Sequence, residues 1–263
     1  MPNWTGFTLA IAVLTLVLLG LTRRSQAVLE NVRVVDDVTS RTAPGSNHDA
    51  DSNSGVRSDP SPTITTRLLL ANVAVSQGLF LAAVVALVWW YDVPAATLGL
   101  PADPIAVRSV GYGVLAGAAV AVLNELGAGI GRRVGLPGPE RLRESLAPTD
   151  AVEWAVLLVV VLPTIAVFEE LLFRGVLIGA FATGLGIDPW LLVVGSAIVF
   201  GIGHGAQGRL GVVVTAVLGT VLGGLFVRSG SLVVVIVAHY VINAVEFVVH
   251  EGPGPDVGTW FGR

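Results

Sequence analysis

The amino-acid sequence predicts an all-α protein, a polytopic bundle of about seven transmembrane helices, on three observations. First, 53% of the residues are hydrophobic and only 13% are charged, which lies outside the composition of soluble globular proteins and inside that of chains dissolved in lipid. Second, seven apolar runs approach the roughly 20 residues that cross a hydrocarbon core at 1.5 Å per residue. Third, glycines recur at four-residue spacing inside those runs, as Gly113 with Gly117, Gly201 with Gly205 and Gly219 with Gly223, a pattern that lets helix backbones approach closely. The lipid bilayer is therefore one partner. A net charge of −4 without any basic block argues against a nucleic-acid partner. The absence of cysteine removes disulfides, thiolate metal sites and a cysteine nucleophile, and leaves the redox compartment open.

The runs are Phe7 to Leu21, Leu68 to Tyr91, Ser109 to Ile130, Val152 to about Ala182, Pro189 to His204, Leu210 to Val227 and Leu232 to His250. The first has no basic residues before it and is followed by Arg23 and Arg24, the reverse of signal-peptide charge order, so residues 1–21 read as an uncleaved anchor, with cleavage as the alternative. Residues 22–66, rich in Ser, Asp, Asn, Thr, Pro and Arg, read as a polar, disordered linker. His48, beside Asp49 and Asp51, belongs to that linker and reads as a loop residue rather than a metal ligand. Residues 67–149 read as accessory helices plus a polar connection whose Arg132, Arg133, Arg141 and Arg143 place it, with Arg23 and Arg24, on the cytoplasmic side. Residues 150–250 carry the remaining spans and residues 251–263 a tail.

Within the fourth span the segment Glu169-Glu170-Leu171-Leu172-Phe173-Arg174 puts charge where it costs about 2.5–3.5 kcal/mol per residue on insertion scales, so these side chains need a partner or a function. Residues four apart share a helix face, whereas adjacent ones diverge by about 100°. Glu170 can then pair with Arg174 while Glu169 faces a cavity as the titrating group, the form a general base takes. The bland reading is that both acids tie helices together through Arg174. Pro163, six residues earlier, is expected to interrupt the backbone ladder. His204 follows Phe200 by one turn among Gly201, Gly203 and Gly205, which leave room for water or substrate. A histidine bonded to a neighbouring carbonyl explains it equally. His239 and Asn243, again four apart, either present two donors to a developing oxyanion or form an interhelical hydrogen-bond pair. Glu246 lies on nearly the same face and either lines the cavity or sits near the interface and helps end the span, and Glu125, near Arg132 and Arg133, reads as interfacial.

The succession Glu169-Glu170-x-x-x-Arg174, Phe200-x-x-x-His204 and His239-x-x-x-Asn243 resembles the three motifs of the CPBP family. These intramembrane endopeptidases include CAAX prenyl proteases of the Ras-converting type, lysostaphin-resistance proteins and bacteriocin-processing or self-immunity proteins. The resemblance covers roughly Asp150 to Val249. It implies that Glu169 and His204 activate a water for attack on a peptide carbonyl, that His239 and Asn243 form the oxyanion site, and that Glu170, Arg174 and Phe200 support them. It also implies a membrane peptide or protein substrate, with or without a lipid group, at the cell membrane. The family has been described as metalloproteases, so a zinc ion on Glu169, His204 and His239 stays open. The spacing differs from the His-Glu-x-x-His arrangement of soluble zincins, and a metal-independent glutamate mechanism is the preferred expectation, with no cofactor certain. Two other classes compete. A catalytically silent scaffold or immunity partner would use the same polar residues for helix association. A proton-coupled carrier would relay protons through them, but it needs inverted repeats that the sequence does not display.

Overall fold

The computed structural model describes residues 2–42, 65–100, 107–133, 143–144 and 146–252. Among them every regular element is helical. The long helices are α1 (Trp4–Thr42), α2 (Thr66–Trp90), α3 (Val107–Arg133), α4 (Ala151–Leu185), α5 (Pro189–Gly203), α6 (Gly208–Ser229) and α7 (Leu232–Glu251). Six of them have segments long and apolar enough to cross a membrane, and α5 is a shorter apolar helix of 15 residues. All seven expected spans are thus present, and the chain is a multi-pass membrane protein. Its outer surface carries large exposed side chains such as Leu16, Leu79, Leu115, Val159, Leu191 and Val217, the apolar coat that a lipid solvent requires.

Helix α1 departs from expectation. It continues 21 residues past Leu21, into the segment read as a disordered linker, and ends at Thr42. The chain between Gly20 and Pro44 contains no glycine or proline, and valines and a leucine recur every three or four residues from Val28 to Val38. Nothing local therefore breaks the helix until the Pro44-Gly45 pair. Residues 43–64, with His48, lie outside the described residues, as do Arg141 and residues 253–263.

Packing follows the small residues. Helices α3 and α7 run parallel, with Gly113 against Val234 and Val237, and Gly117 against Ala238 and Val241. Helices α5 and α6 form an antiparallel hairpin in which Gly201 meets Val212 and Ala216, Gly219 meets Ala197 and Phe200, and Gly223 meets Val193. Gly205 lies outside the helices, in the 3-10 turn Gly205–Gln207 that links them, and Gly208 adopts φ 76° as the chain enters α6. That left-handed φ is strained for any residue with a Cβ, so this reversal favours glycine. Helix α2 runs parallel to α4, from Arg67 beside Asp150 to Phe80 against Phe168. Helix α1 lies along α5, with Trp4 at Gly184 and Leu19 at Gly203.

Helix α4 is one continuous rod with two wide-turned stretches, Leu157–Val161 and Leu171–Ala180, bonded in the π pattern. Pro163 follows directly on the first, so the change of ladder absorbs its missing N–H in place of a sharp kink. The second begins immediately after Glu170. Such bulges change which residues face inward and occur often at functional sites.

Candidate active site

Glu169 and Glu170 sit halfway along α4, and the roughly 100° between adjacent residues separates their environments. Glu170 and Arg174 form a fully buried ion pair, with Arg174 Nη1 donating to Glu170 Oε1 over 2.8 Å. The guanidinium also donates to the Gly219 carbonyl at 3.3 Å and lies 4.6 Å from the centroid of the Phe200 ring. Charge, hydrogen bond and aromatic face together hold a cation that would otherwise be costly in the apolar core. Glu170 Oε1 takes a second bond, 2.7 Å from His239 Nδ1, whereas its buried Oε2 has no hydrogen-bond partner among the described residues.

That contact fixes His239. A carboxylate only accepts, so Nδ1 carries the proton and Nε2 points away from Glu170. His204 is fixed the same way by a different acceptor: its Nδ1 lies 2.8 Å from the Phe200 carbonyl oxygen. Both Nε2 atoms then face Glu169, His204 Nε2 at 3.8 Å from Oε1 and His239 Nε2 at 3.7 Å from Oε2. The separations exceed direct hydrogen bonds and match the span a small polar molecule bridges. Glu169, His204 and His239 come from α4, the end of α5 and α7 respectively. Phe200 packs edge-on against Phe173 at 4.9 Å and lies 4.5 Å from the His204 ring, walling the site on one side.

Asn243 lies one turn beyond His239 on α7, half-buried. No side-chain hydrogen bond ties it to the cluster among the described residues. Two braces escaped the sequence reading. Ser196 Oγ donates to the Phe173 carbonyl over 2.7 Å from a buried position, pinning α5 to α4. It precedes Phe200 by four and His204 by eight, a spacing that marks it as their face-mate. Thr215 Oγ1 donates to Gln207 Oε1 at 3.1 Å and steadies the turn after His204. Glu246 accepts from Arg143 Nη1 at 3.4 Å, and His250 Nε2 lies 2.8 Å from Glu125 Oε1, so these acids are partnered near one end of the bundle.

Zinc is expected, if at all, on Glu169, His204 and His239. Two imidazoles with their Nδ1 protons engaged and one carboxylate are suitable ligand types. Among the described residues, however, no group of three or more His, Cys, Asp or Glu side chains is arranged to hold a metal ion.

Residues 151–245 match the model of the Rce1-like family, type II CAAX prenyl endopeptidases. The matched segment takes in Glu169, Glu170, Arg174, Phe200, His204, His239 and Asn243, agrees with the resemblance to the CPBP family, and supports a membrane-embedded peptidase. No curated protein and no solved structure matches the chain.

Proposed function

We propose, on the premise that residues 151–245 form a domain like that of the type II CAAX endopeptidases, that this protein hydrolyses a peptide bond of a membrane-associated substrate with a water held between Glu169 and His204. The observation that carries the reading is the convergence of both imidazole Nε2 atoms on one carboxylate at 3.7–3.8 Å from three separate helices. A water in that gap can donate one proton to Glu169 and the other to His204 Nε2. As its oxygen attacks the peptide carbon, Glu169 takes the proton and the carbonyl oxygen becomes an oxyanion. Asn243 supplies an amide donor toward that oxygen. His239 can donate from Nε2 only when doubly protonated, and the Glu170 carboxylate on its Nδ1 is the counter-charge for that imidazolium. Collapse of the intermediate breaks the C–N bond and returns the proton from Glu169 to the departing amine.

No step runs through a metal. The substrate is a peptide or protein embedded in or anchored to the cell membrane, with or without a lipid group. The test is cleavage of a membrane peptide library by the protein in proteoliposomes. Glu169→Gln and His204→Ala are expected to lower kcat by about 10²–10⁴-fold with the helical content and melting temperature of the parent retained. Full turnover by both variants would sink the assignment.

A further inference from the structure

Hydrolysis consumes one water per bond, and the Glu169 cluster lies inside an apolar bundle. Toward Leu185 and Leu232, the described residues around the cluster are apolar. There Phe173, Val176, Phe200, Leu232 and Val235 are all buried and belong to one apolar core.

Helix α7 is different toward its other end. His239, Asn243, Glu246 and His250 are spaced 4, 3 and 4 residues apart, which sets all four within about 60° of one another at 100° per residue. The faces on either side are apolar and engaged: Tyr240, Ala244 and Phe247 pack on Leu157 and Val161 of α4, while Ala238 and Ile242 pack with Leu222 of α6. Side-chain exposure along the stripe is 4% for His239, 31% for Glu246 and 16% for His250, and Glu246 is paired with Arg143 of the polar connection before α4. His239 and Asn243 stand deeper in the span, where a polar side chain is costly, and Glu246 and His250 continue their line to the end of the helix, partnered by Arg143 and Glu125.

We propose that this α7 face is the hydrated route by which water reaches Glu169, entering from the end of the bundle that carries Arg67, Arg143 and Glu251. Arg23 and Arg24, at the end of the apolar segment of α1, and Arg133, at the end of α3, lie at that same end, which the positive-inside rule makes cytoplasmic. The inference rests on the proposed hydrolysis only for its purpose. The route itself is a property of the fold and is testable without turnover.

The cysteine-free chain allows a direct test. Single-cysteine variants Asn243→Cys and Glu246→Cys in oriented proteoliposomes are exposed to a charged, membrane-impermeant thiol reagent. Ile242→Cys, buried at 2%, and Val248→Cys, 51% exposed on the outer surface, serve as packed and lipid-facing references. A thiol reacts as its thiolate, which forms in water and not in lipid. Labelling at 243 and 246 is expected at least tenfold faster than at 242 and 248, and only from the arginine-rich side. Rates at 243 and 246 no faster than at 242 and 248, or labelling from the opposite side, would overturn the proposal. If Asn243→Cys fails to give a monodisperse protein, Glu246→Cys against Val248→Cys decides alone. A labelled route in a protein that cleaves nothing would overturn the hydrolase reading and leave the route standing.

Discussion

Two adjacent carboxylates in one helix do different work because a helix turns between them. Glu170 is bonded to Arg174 and His239 inside the core, whereas Glu169 touches its histidines only across gaps of 3.7–3.8 Å. The two Glu→Gln substitutions should therefore separate stability from turnover. Glu170→Gln strands the Arg174 charge and is expected to cost roughly 3–5 kcal/mol, as the loss of one partner of a buried pair does. Glu169→Gln should leave the unfolding midpoint near that of the parent while removing activity. Thermal unfolding in detergent read beside peptide cleavage checks both, and equal destabilisation by the two would contradict the division of roles. The motif spacing already implied this division, because residues 170 and 174 share a face. The sequence could not reveal that Glu170 would also hold His239, since a separation of 69 positions is closed only by folding.

At the level of helices, close backbone contact decides which glycines matter. A Cβ on Gly117 would stand 2.6 Å from the Ala238 carbonyl oxygen and 2.8 Å from Val241 Cβ, whereas one on Gly127 in the same helix meets nothing within 4 Å. Gly117→Ala should destabilise the α3–α7 pair by roughly 1–3 kcal/mol, the cost of overpacking, and Gly127→Ala should not, as paired thermal melts would show. The junction of α2 with α4 is ionic. Asp150 accepts from the Glu153 backbone N–H at 2.9 Å and from Arg67 at 2.5 Å, and these contacts, the backbone one foremost, lower its pKa from 3.8. A group with a lowered folded pKa contributes above its ordinary pKa and loses that contribution as pH falls through the lowered value. The difference in melting temperature between the parent and Asp150→Asn should therefore hold near neutrality and close below about pH 4. A gap that persisted at lower pH would show that the junction does not depend on the carboxylate charge. The four-residue glycine spacing was plain in the sequence, but which partner each glycine meets was not. Gly113 and Gly117 serve α7, from a span more than a hundred residues away, while Gly205 lies in the turn between α5 and α6 and not on a helix face.

Across the whole molecule, the arginines gather at one end. Arg23, Arg24, Arg67, Arg133, Arg143 and Arg209 lie toward it and Arg108 and Arg228 toward the other, an asymmetry that orients a membrane protein with its arginine-rich loops in the cytoplasm. A cysteine placed at exposed Glu144 should accordingly react only from the cytoplasmic side, and one at exposed Ser229 only from the opposite side. Reversed labelling would invert the membrane topology. Composition and run length alone determined the all-α class, the seven spans and the identity of the polar residues. Lipid forces backbone groups into helices and makes every buried charge conspicuous. Residues 22–42 are polar, yet nothing in them breaks a helix, and α1 runs through them to Thr42. Only the tertiary structure decided that Glu169 faces two imidazoles, that the Phe200 carbonyl and Glu170 set their tautomers, and that Asn243 continues a polar line instead of bonding within the cluster. Those are relations between helices, and no periodicity along one chain segment encodes the distance to another.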